Sequence, residues 1–268
     1  MQTLVLRDGR QLAYYTTPPS APTSTADSYV LLLHGMTESS TIFRSKRSPC
    51  HHLVCLDRPG YGLSSPPPSE SYSYHTFAED VLELLAGAGI AKLEAVLGHS
   101  SGGPCALAVA TYLGPTKVDK CVLVASDVEY CLGLVPDPLP HPVLDVDADC
   151  QDVAKGFGFT TARERSLAEV DLADYRDSVR RNPRGNAGAI HDHLCERRPW
   201  GFAFSKDLDE LENRLVVVYG ELDPYITKAH AEVFQRLGGG NHPVCVHGYG
   251  HFDILLDPTS FNLVLNLV

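Results

Sequence analysis

The sequence has no Cys-x-x-Cys pair, no Asn-x-Ser/Thr sequon and no apolar run of membrane-spanning length. Each absence closes a class. A bilayer span needs about 20 consecutive apolar residues, so no membrane span is expected. Residues 1–30 lack a basic start followed by an apolar stretch, so no secretory signal is expected. Eight scattered cysteines without metal-type spacing read as buried free thiols, which suits a reducing, cytoplasmic setting. Basic residues are scarce as well: 22 Lys and Arg face 33 Asp and Glu, for a net charge of −11. Such a chain repels phosphate backbones and anionic lipid surfaces, so nucleic acid is not an expected partner. No metal is implied either. His191-Asp192-His193, and His51-His52 with Cys55, lack a full donor set and read as solvated positions.

What is present is a regular alternation. Over 268 residues, 44% are hydrophobic, enough for one sizeable core. Residues 3–6 and 11–15, flanking Asp8-Gly9, predict an opening hairpin. Apolar runs at 29–33, 52–56, 93–97, 120–125, 215–219 and 244–246 predict strands, the continuous ones covered on both faces. Phe77, Val81, Leu84, Leu85 and Ala88 recur at helical spacing, with Thr76 and Glu79 as a capping box. Further helices are expected after Ser101, after Thr227 and from Asp257 onward. Strands alternating with helices predict an α/β fold, with a mostly parallel, eight-stranded sheet and helices on both faces. The alternation breaks once. Residues 131–213 show no strand pattern and far exceed an ordinary connection of ~2–6 residues plus a helix. They are expected to form a helical cap inserted before the strand that carries Asp223, leaving 1–130 and 214–268 as the core.

One turn carries chemistry. Gly98-His99-Ser100-Ser101-Gly102 ends a strand and opens a helix. Glycine at 98 and 102 permits a bend sharp enough to expose Ser100 on a strained backbone. The free N–H groups and positive end of the helix then face whatever Ser100 attacks. A serine hydroxyl is a weak nucleophile and needs a base. Imidazole suits that role, and a carboxylate fixes its tautomer. Beyond the carboxyl ends of the other strands lie His34-Gly35-Met36, Gly220-Glu221-Leu222-Asp223-Pro224 and a His247-to-Phe252 loop containing His251. The chain order Ser100, Asp223, His251 is the nucleophile–acid–base order expected after a G-x-S-x-G turn. Asp127, on the loop after the strand that follows the turn, competes for the role of acid.

Leu32-Leu33-His34-Gly35, Asp57-Arg58-Pro59-Gly60-Tyr61-Gly62-Leu63-Ser64, Gly98-His99-Ser100-Ser101-Gly102-Gly103, Gly220-Glu221-Leu222-Asp223 and Gly250-His251-Phe252 together resemble the α/β-hydrolase fold superfamily, in its cap-bearing esterase and lipase-like group. The resemblance implies that Ser100 is the nucleophile, His251 the base and Asp223 the acid. It places the oxyanion hole at the backbone N–H groups of Met36 and Ser101. His34, Gly35, His99, Trp200 and Phe252 are the substrate-binding candidates. His34 reads as a structural hydrogen-bonding histidine under the oxyanion loop rather than a catalyst, and His99 as supporting the turn or lining its base. The implied reaction is hydrolysis of an ester, lactone or thioester through an acyl-serine. The small-molecule substrate would be small to medium in size and largely apolar, with no cofactor. Rival readings are carbon–carbon or amide hydrolysis on the same triad, and a hydrolase-like ligand receptor with slow turnover. Serine at 100 argues against the epoxide hydrolases and haloalkane dehalogenases, which carry aspartate there. Leu132, Leu134, Phe157, Phe159, Trp200 and Phe202 are expected to line the pocket or pack the cap onto the core.

Overall fold

The computed structural model describes residues 1–21, 28–135, 161–164, 166, 187–201, 211, 213–238 and 242–268. Its strands are β1 (Gln2–Val5), β2 (Gln11–Thr17), β3 (Tyr29–Leu33), β4 (His52–Leu56), β5 (Leu93–His99), β6 (Val118–Val124), β7 (Leu215–Gly220) and β8 (Val244–Val246). They form one eight-stranded sheet in the order β1-β2-β4-β3-β5-β6-β7-β8. The opening hairpin pairs antiparallel with itself and with β4, and every later pairing is parallel. Each predicted strand is present, with ends shifted by at most two residues.

Alternation along the strands builds two apolar layers. In β3, Leu31 and Leu33 face one side, where α1 (Tyr74–Gly87) and α2 (Gly102–Leu113) supply Phe77, Val81, Leu84, Leu107 and Val109. Val30 and Leu32 face the other side, with Ile42, Phe43, Phe261 and Val264. Covering both faces is why the runs are continuous rather than alternating. Each fully buried Val or Leu there contributes roughly 1.5–3 kcal/mol relative to exposure. The other helices described are α3 (Ala187–Glu196), α4 (Lys228–Gly238), α5 (Asp253–Leu256) and α6 (Pro258–Leu265). Asp257 caps α6 by accepting from the N–H groups of Thr259 and Ser260, and Pro258 occupies the first turn, where it gives up no hydrogen bond.

The start of α1 differs from expectation. Its N-cap is Ser73, whose Oγ accepts from Thr76 N at 3.3 Å, and not Thr76 with Glu79. The helix begins earlier because Tyr74 is a core residue, buried edge-on against the Trp200 ring at 5.4 Å. Ser73→Ala is therefore expected to lower stability by about 1 kcal/mol. Glu79→Gln, on the exposed face, should leave the melting temperature unchanged, and thermal denaturation of both variants checks this.

Register positions the chemistry. Leu33 pairs with Gly98, and Gly98 with Leu123, so the loops leaving β3, β5 and β6 emerge side by side. Of the expected cap, α3, residues 161–164 and 197–201 and a few neighbours are described. Phe157, Phe159, Phe202 and most of the charged stretch 163–184 lie outside the described residues. Leu132 and Leu134 are exposed, whereas Trp200 is buried. Cys55, Cys105, Cys121 and Cys195 are buried free thiols as expected, but Cys50 and Cys131 are exposed, and Cys150 lies outside the described residues. Among the described residues, no helix is long and apolar enough to cross a membrane.

Candidate active site

β5 ends at His99 and α2 starts at Gly102, leaving two residues to reverse the chain. A Cβ on Gly98 would come within 2.2 Å of the Gly102 carbonyl oxygen. One on Gly102 would sit 2.5 Å from the His34 carbonyl oxygen. Both positions therefore require glycine. Ser100 itself has φ +51°, in the left-handed region. Such a conformation costs roughly 1–3 kcal/mol and persists only because the surroundings dictate it. Here Ser100 N donates to Val124 O at 3.0 Å, and Ser100 O accepts from Gly103 N at 2.8 Å.

Three side chains from separate loops meet at this turn. Ser100 Oγ lies 3.1 Å from His251 Nε2, and His251 Nδ1 lies 2.8 Å from Asp223 Oδ2. A carboxylate only accepts, so Nδ1 carries the proton in the neutral ring and Nε2 is left to accept from the serine hydroxyl. Asp223 is locked in turn, its Oδ1 accepting from Tyr225 N at 2.8 Å and Ile226 N at 2.9 Å. Asp223 and His251 are buried, and Ser100 is partly exposed. Burial disfavours the His251 imidazolium, but the Asp223 carboxylate, aided by Asp127 and Glu38, outweighs it and raises the imidazole pKa above its ordinary value.

The competing acid sits elsewhere. Asp127 Oδ1 accepts from the Tyr130 hydroxyl at 2.8 Å, and its backbone N–H reaches Ser100 O at 3.4 Å. Burial pushes its carboxyl pKa up. It is close enough to favour a charged His251 but makes no hydrogen bond to the ring among the described residues.

Met36 lies in the loop after β3, and Ser101 follows the serine. Neither amide N–H donates to a protein acceptor among the described residues. The loop is held open by Glu38, a buried carboxylate that accepts from Gly35 N at 2.6 Å, and by a left-handed Thr37 at φ +66°. Gly35 abuts the serine, since a Cβ there would lie 3.1 Å from Ser100 Cβ.

The remaining candidates are held within the fold around this turn. His34 is fully buried: its Nδ1 donates to Gly35 O at 2.8 Å and its Nε2 accepts from Arg58 N at 3.1 Å. It has no polar atom left for a substrate. His99 is likewise buried, with Nε2 donating to His251 O at 2.9 Å and Nδ1 3.4 Å from Glu38 Oε2. Phe252 packs its ring 5.0 Å from that of His251. Trp200 is buried against Tyr74, and its backbone N–H donates to Glu129 Oε1 at 3.0 Å.

Sequence reasoning missed three carboxylates here. Glu38 is one. Glu164 is another: fully buried, it accepts from Phe252 N at 2.8 Å and Thr161 N at 2.9 Å, tying residues 161–164 to the loop behind His251. Asp192 was expected to be solvated but is buried and ion-paired with Arg58 at 2.7 Å. None follows from local pattern, because each also meets a partner far along the chain: His99 for Glu38, Phe252 N for Glu164 and Arg58 for Asp192. Asp57, expected to tie down its own turn, does so through Leu63 N at 2.9 Å and also reaches Ser40 N at 2.8 Å. Among the described residues, no group of three or more His, Cys, Asp or Glu side chains is arranged to hold a metal ion.

The chain has relatives. The chain is 27% identical over 256 residues to the pimeloyl-[acyl-carrier protein] methyl ester esterase of Sodalis glossinidius (strain morsitans), covering 89% of this chain and 92% of that enzyme. A solved hydrolase from Pseudomonas aeruginosa PA01 superposes with a TM-score of 0.74 at 19% identity, covering 98% of this chain and 96% of that one. The enol-lactonase of Burkholderia xenovorans LB400 superposes with a TM-score of 0.73 at 16% identity, covering 99% and 98%. At such identities the two structures show a shared fold. The sequence profile of the alpha/beta hydrolase fold family matches residues 29–258, from the first parallel strand into the last helix. With most of its length matched in this way, the chain belongs to the α/β-hydrolase fold family.

Proposed function

We propose that this protein is a serine hydrolase that cleaves an ester, lactone or thioester of a small to medium, largely apolar substrate. The carrying observation is the unbroken hydrogen-bond chain from Ser100 Oγ through His251 to Asp223. The esterase and enol-lactonase among its relatives support the same class of reaction.

In this reading His251 Nε2 takes the Ser100 proton as Oγ attacks the substrate carbonyl carbon. Asp223 stabilises the imidazolium that forms. The carbonyl oxygen becomes an oxyanion and receives the N–H groups of Met36 and Ser101. Collapse of the tetrahedral intermediate breaks the bond to the leaving group, which takes the proton from His251. The acyl group remains on Ser100. A water molecule, deprotonated by His251, then releases the acid and restores the serine. No metal or organic cofactor enters. Residues 131–213 act as the cap that shapes the substrate's surroundings.

The test is intact-protein mass spectrometry with a fluorophosphonate probe, together with turnover of p-nitrophenyl acyl esters. One adduct and continuing turnover are expected. A stoichiometric burst without further product would instead favour a slow receptor.

Two further results are expected. Met36→Ala should be mild and Met36→Pro severe, on the order of 10²–10³-fold in kcat, because the amide and not the side chain is at work. Equal losses from both would remove Met36 from the oxyanion hole. Across a neutral acyl series, kcat/KM should be higher for medium-chain and aromatic esters than for acetates, and lowest for a carboxylated analogue. Asp223, Asp127 and Glu38 surround His251 with negative charge, and the chain carries −11 overall, so an anionic substrate is repelled. A preference for the carboxylated ester would overturn that substrate class.

A further inference from the structure

Arg58 is among the largest side chains that the fold buries completely. Its Nη1 donates to Asp192 Oδ1 at 2.9 Å, and its Nη2 lies 2.7 Å from Asp192 Oδ2, so the pair is bidentate. The same Nη2 donates to Ser101 Oγ at 2.8 Å. The Ser101 hydroxyl donates onward to Asp192 Oδ2 at 3.1 Å, and the Tyr61 hydroxyl donates to that oxygen at 2.5 Å. The arginine's backbone N–H, meanwhile, donates to His34 Nε2, and His34 Nδ1 donates to Gly35 O. One residue thus grips both loops. Its side chain holds Ser101, and its backbone holds the histidine that holds Gly35, next to Met36.

The partner carboxylate comes from α3, 134 residues away in sequence. That helix is pressed onto the 57–62 turn at backbone distance. A Cβ on Gly60 would lie 2.7 Å from Gly188 Cα, and one on Gly188 would lie 2.6 Å from the Tyr61 ring. Asp192 is one helical turn beyond Gly188, on the same face, so close docking at Gly188 delivers its carboxylate to Arg58.

We infer that Arg58 and Asp192 are positioning residues for the oxyanion hole, coupling α3 to both of its amide donors. The inference rests on the proposed serine-hydrolase reading. Neither side chain touches the reacting atoms. They fix where the Met36 and Ser101 amides point, and those amides act on charge that develops only in the transition state. Loss of the pair should therefore lower kcat and leave KM nearly unchanged.

The experiment measures kcat and KM on p-nitrophenyl butyrate, with melting temperature, for wild type, Asp192→Asn, Arg58→Met/Asp192→Leu and Ser100→Ala. Asp192→Asn leaves a buried cation uncompensated and is expected to lose stability as well as rate. The double variant removes both charges together, which apolar replacement tolerates, so it should fold with a melting temperature near wild type. Its kcat should nonetheless fall about 10- to 10²-fold, the scale of a misplaced catalytic group. Its KM should stay within about twofold, as expected for an interaction made only in the transition state. A folded double variant with wild-type kcat, or one that raises KM alone, overturns the inference. If neither charge variant folds, Ser101→Ala decides: it removes only the hydroxyl that the pair grips and keeps the amide. A similar fall in kcat supports the inference, and wild-type kcat overturns it. Ser100→Ala separates the two levels, since turnover persisting there would overturn the serine mechanism itself, whatever the Asp192 variants do.

Discussion

Ser100→Ala is expected to lower p-nitrophenyl ester turnover by up to about 10⁶-fold, the loss seen when a triad nucleophile is removed. It should also abolish the fluorophosphonate adduct. The melting temperature should stay near the wild-type value. The substitution deletes one hydroxyl whose partner is His251 Nε2 at 3.1 Å, and it leaves the turn's backbone bonds to Val124 and Gly103 intact. Any remaining rate would come from the proposed oxyanion amides acting on water's attack. Wild-type turnover by a folded Ser100→Ala protein would remove the central assignment.

Asp223→Asn is expected to lower kcat about 10⁴-fold, because an amide opposite Nδ1 favours the wrong tautomer and cannot stabilise the imidazolium. Asp127→Asn should cost less than about tenfold, since Asp127 bonds Tyr130 rather than the ring. The two also differ in their pH profiles. As the proposed base, His251 would have to be neutral to accept the proton, and its pKa is raised. The acidic limb of kcat/KM therefore falls above the ordinary imidazole value of about 6.5. Asp127 is one of the charges that raises it, so Asp127→Asn should move the limb to lower pH while keeping most of the rate. A dominant loss in Asp127→Asn, with Asp223→Asn active, would exchange their roles.

Much of the fold, and the meeting of Ser100, His251 and Asp223 at the candidate site, could be read directly from the residues. Strands such as 29–33 and 93–97 are apolar throughout because both faces are covered. That pattern is local and strong. The turn at Gly98–Gly102 is legible because backbone carbonyls exclude any Cβ there. What was not legible is set by distant partners. Ser73 caps α1 because Tyr74 is drawn into the core against Trp200, which a capping-box pattern does not register. Asp192, between two histidines on a polar-looking segment, reads as solvated. Its burial depends on Arg58 and on Gly188 meeting Tyr61 at close range. Glu38 and Glu164 were unremarked because their burial depends on distant partners, the His99 ring for Glu38 and the Phe252 backbone for Glu164.

The order of strands in the sheet also sets a timetable for biosynthesis. β1 to β6 form one uninterrupted stretch of chain, and β3, β4, β5 and β6 pair only with members of that stretch until β7 arrives. As the chain leaves the ribosome, these strands and the serine turn can assemble first. Asp223 and His251 cannot join them. They follow β7 and β8, and β7 reaches β6 only after the long intervening segment has been made and closed, at an entropic cost that grows slowly with length. Until then Ser100 is an ordinary alcohol with no base beside it. Under the proposed mechanism, a nascent, stalled or clipped chain that ends before His251 therefore carries Ser100 in inert form, and an acyl donor would meet an activated serine only once translation has passed the last strand and the loop after it.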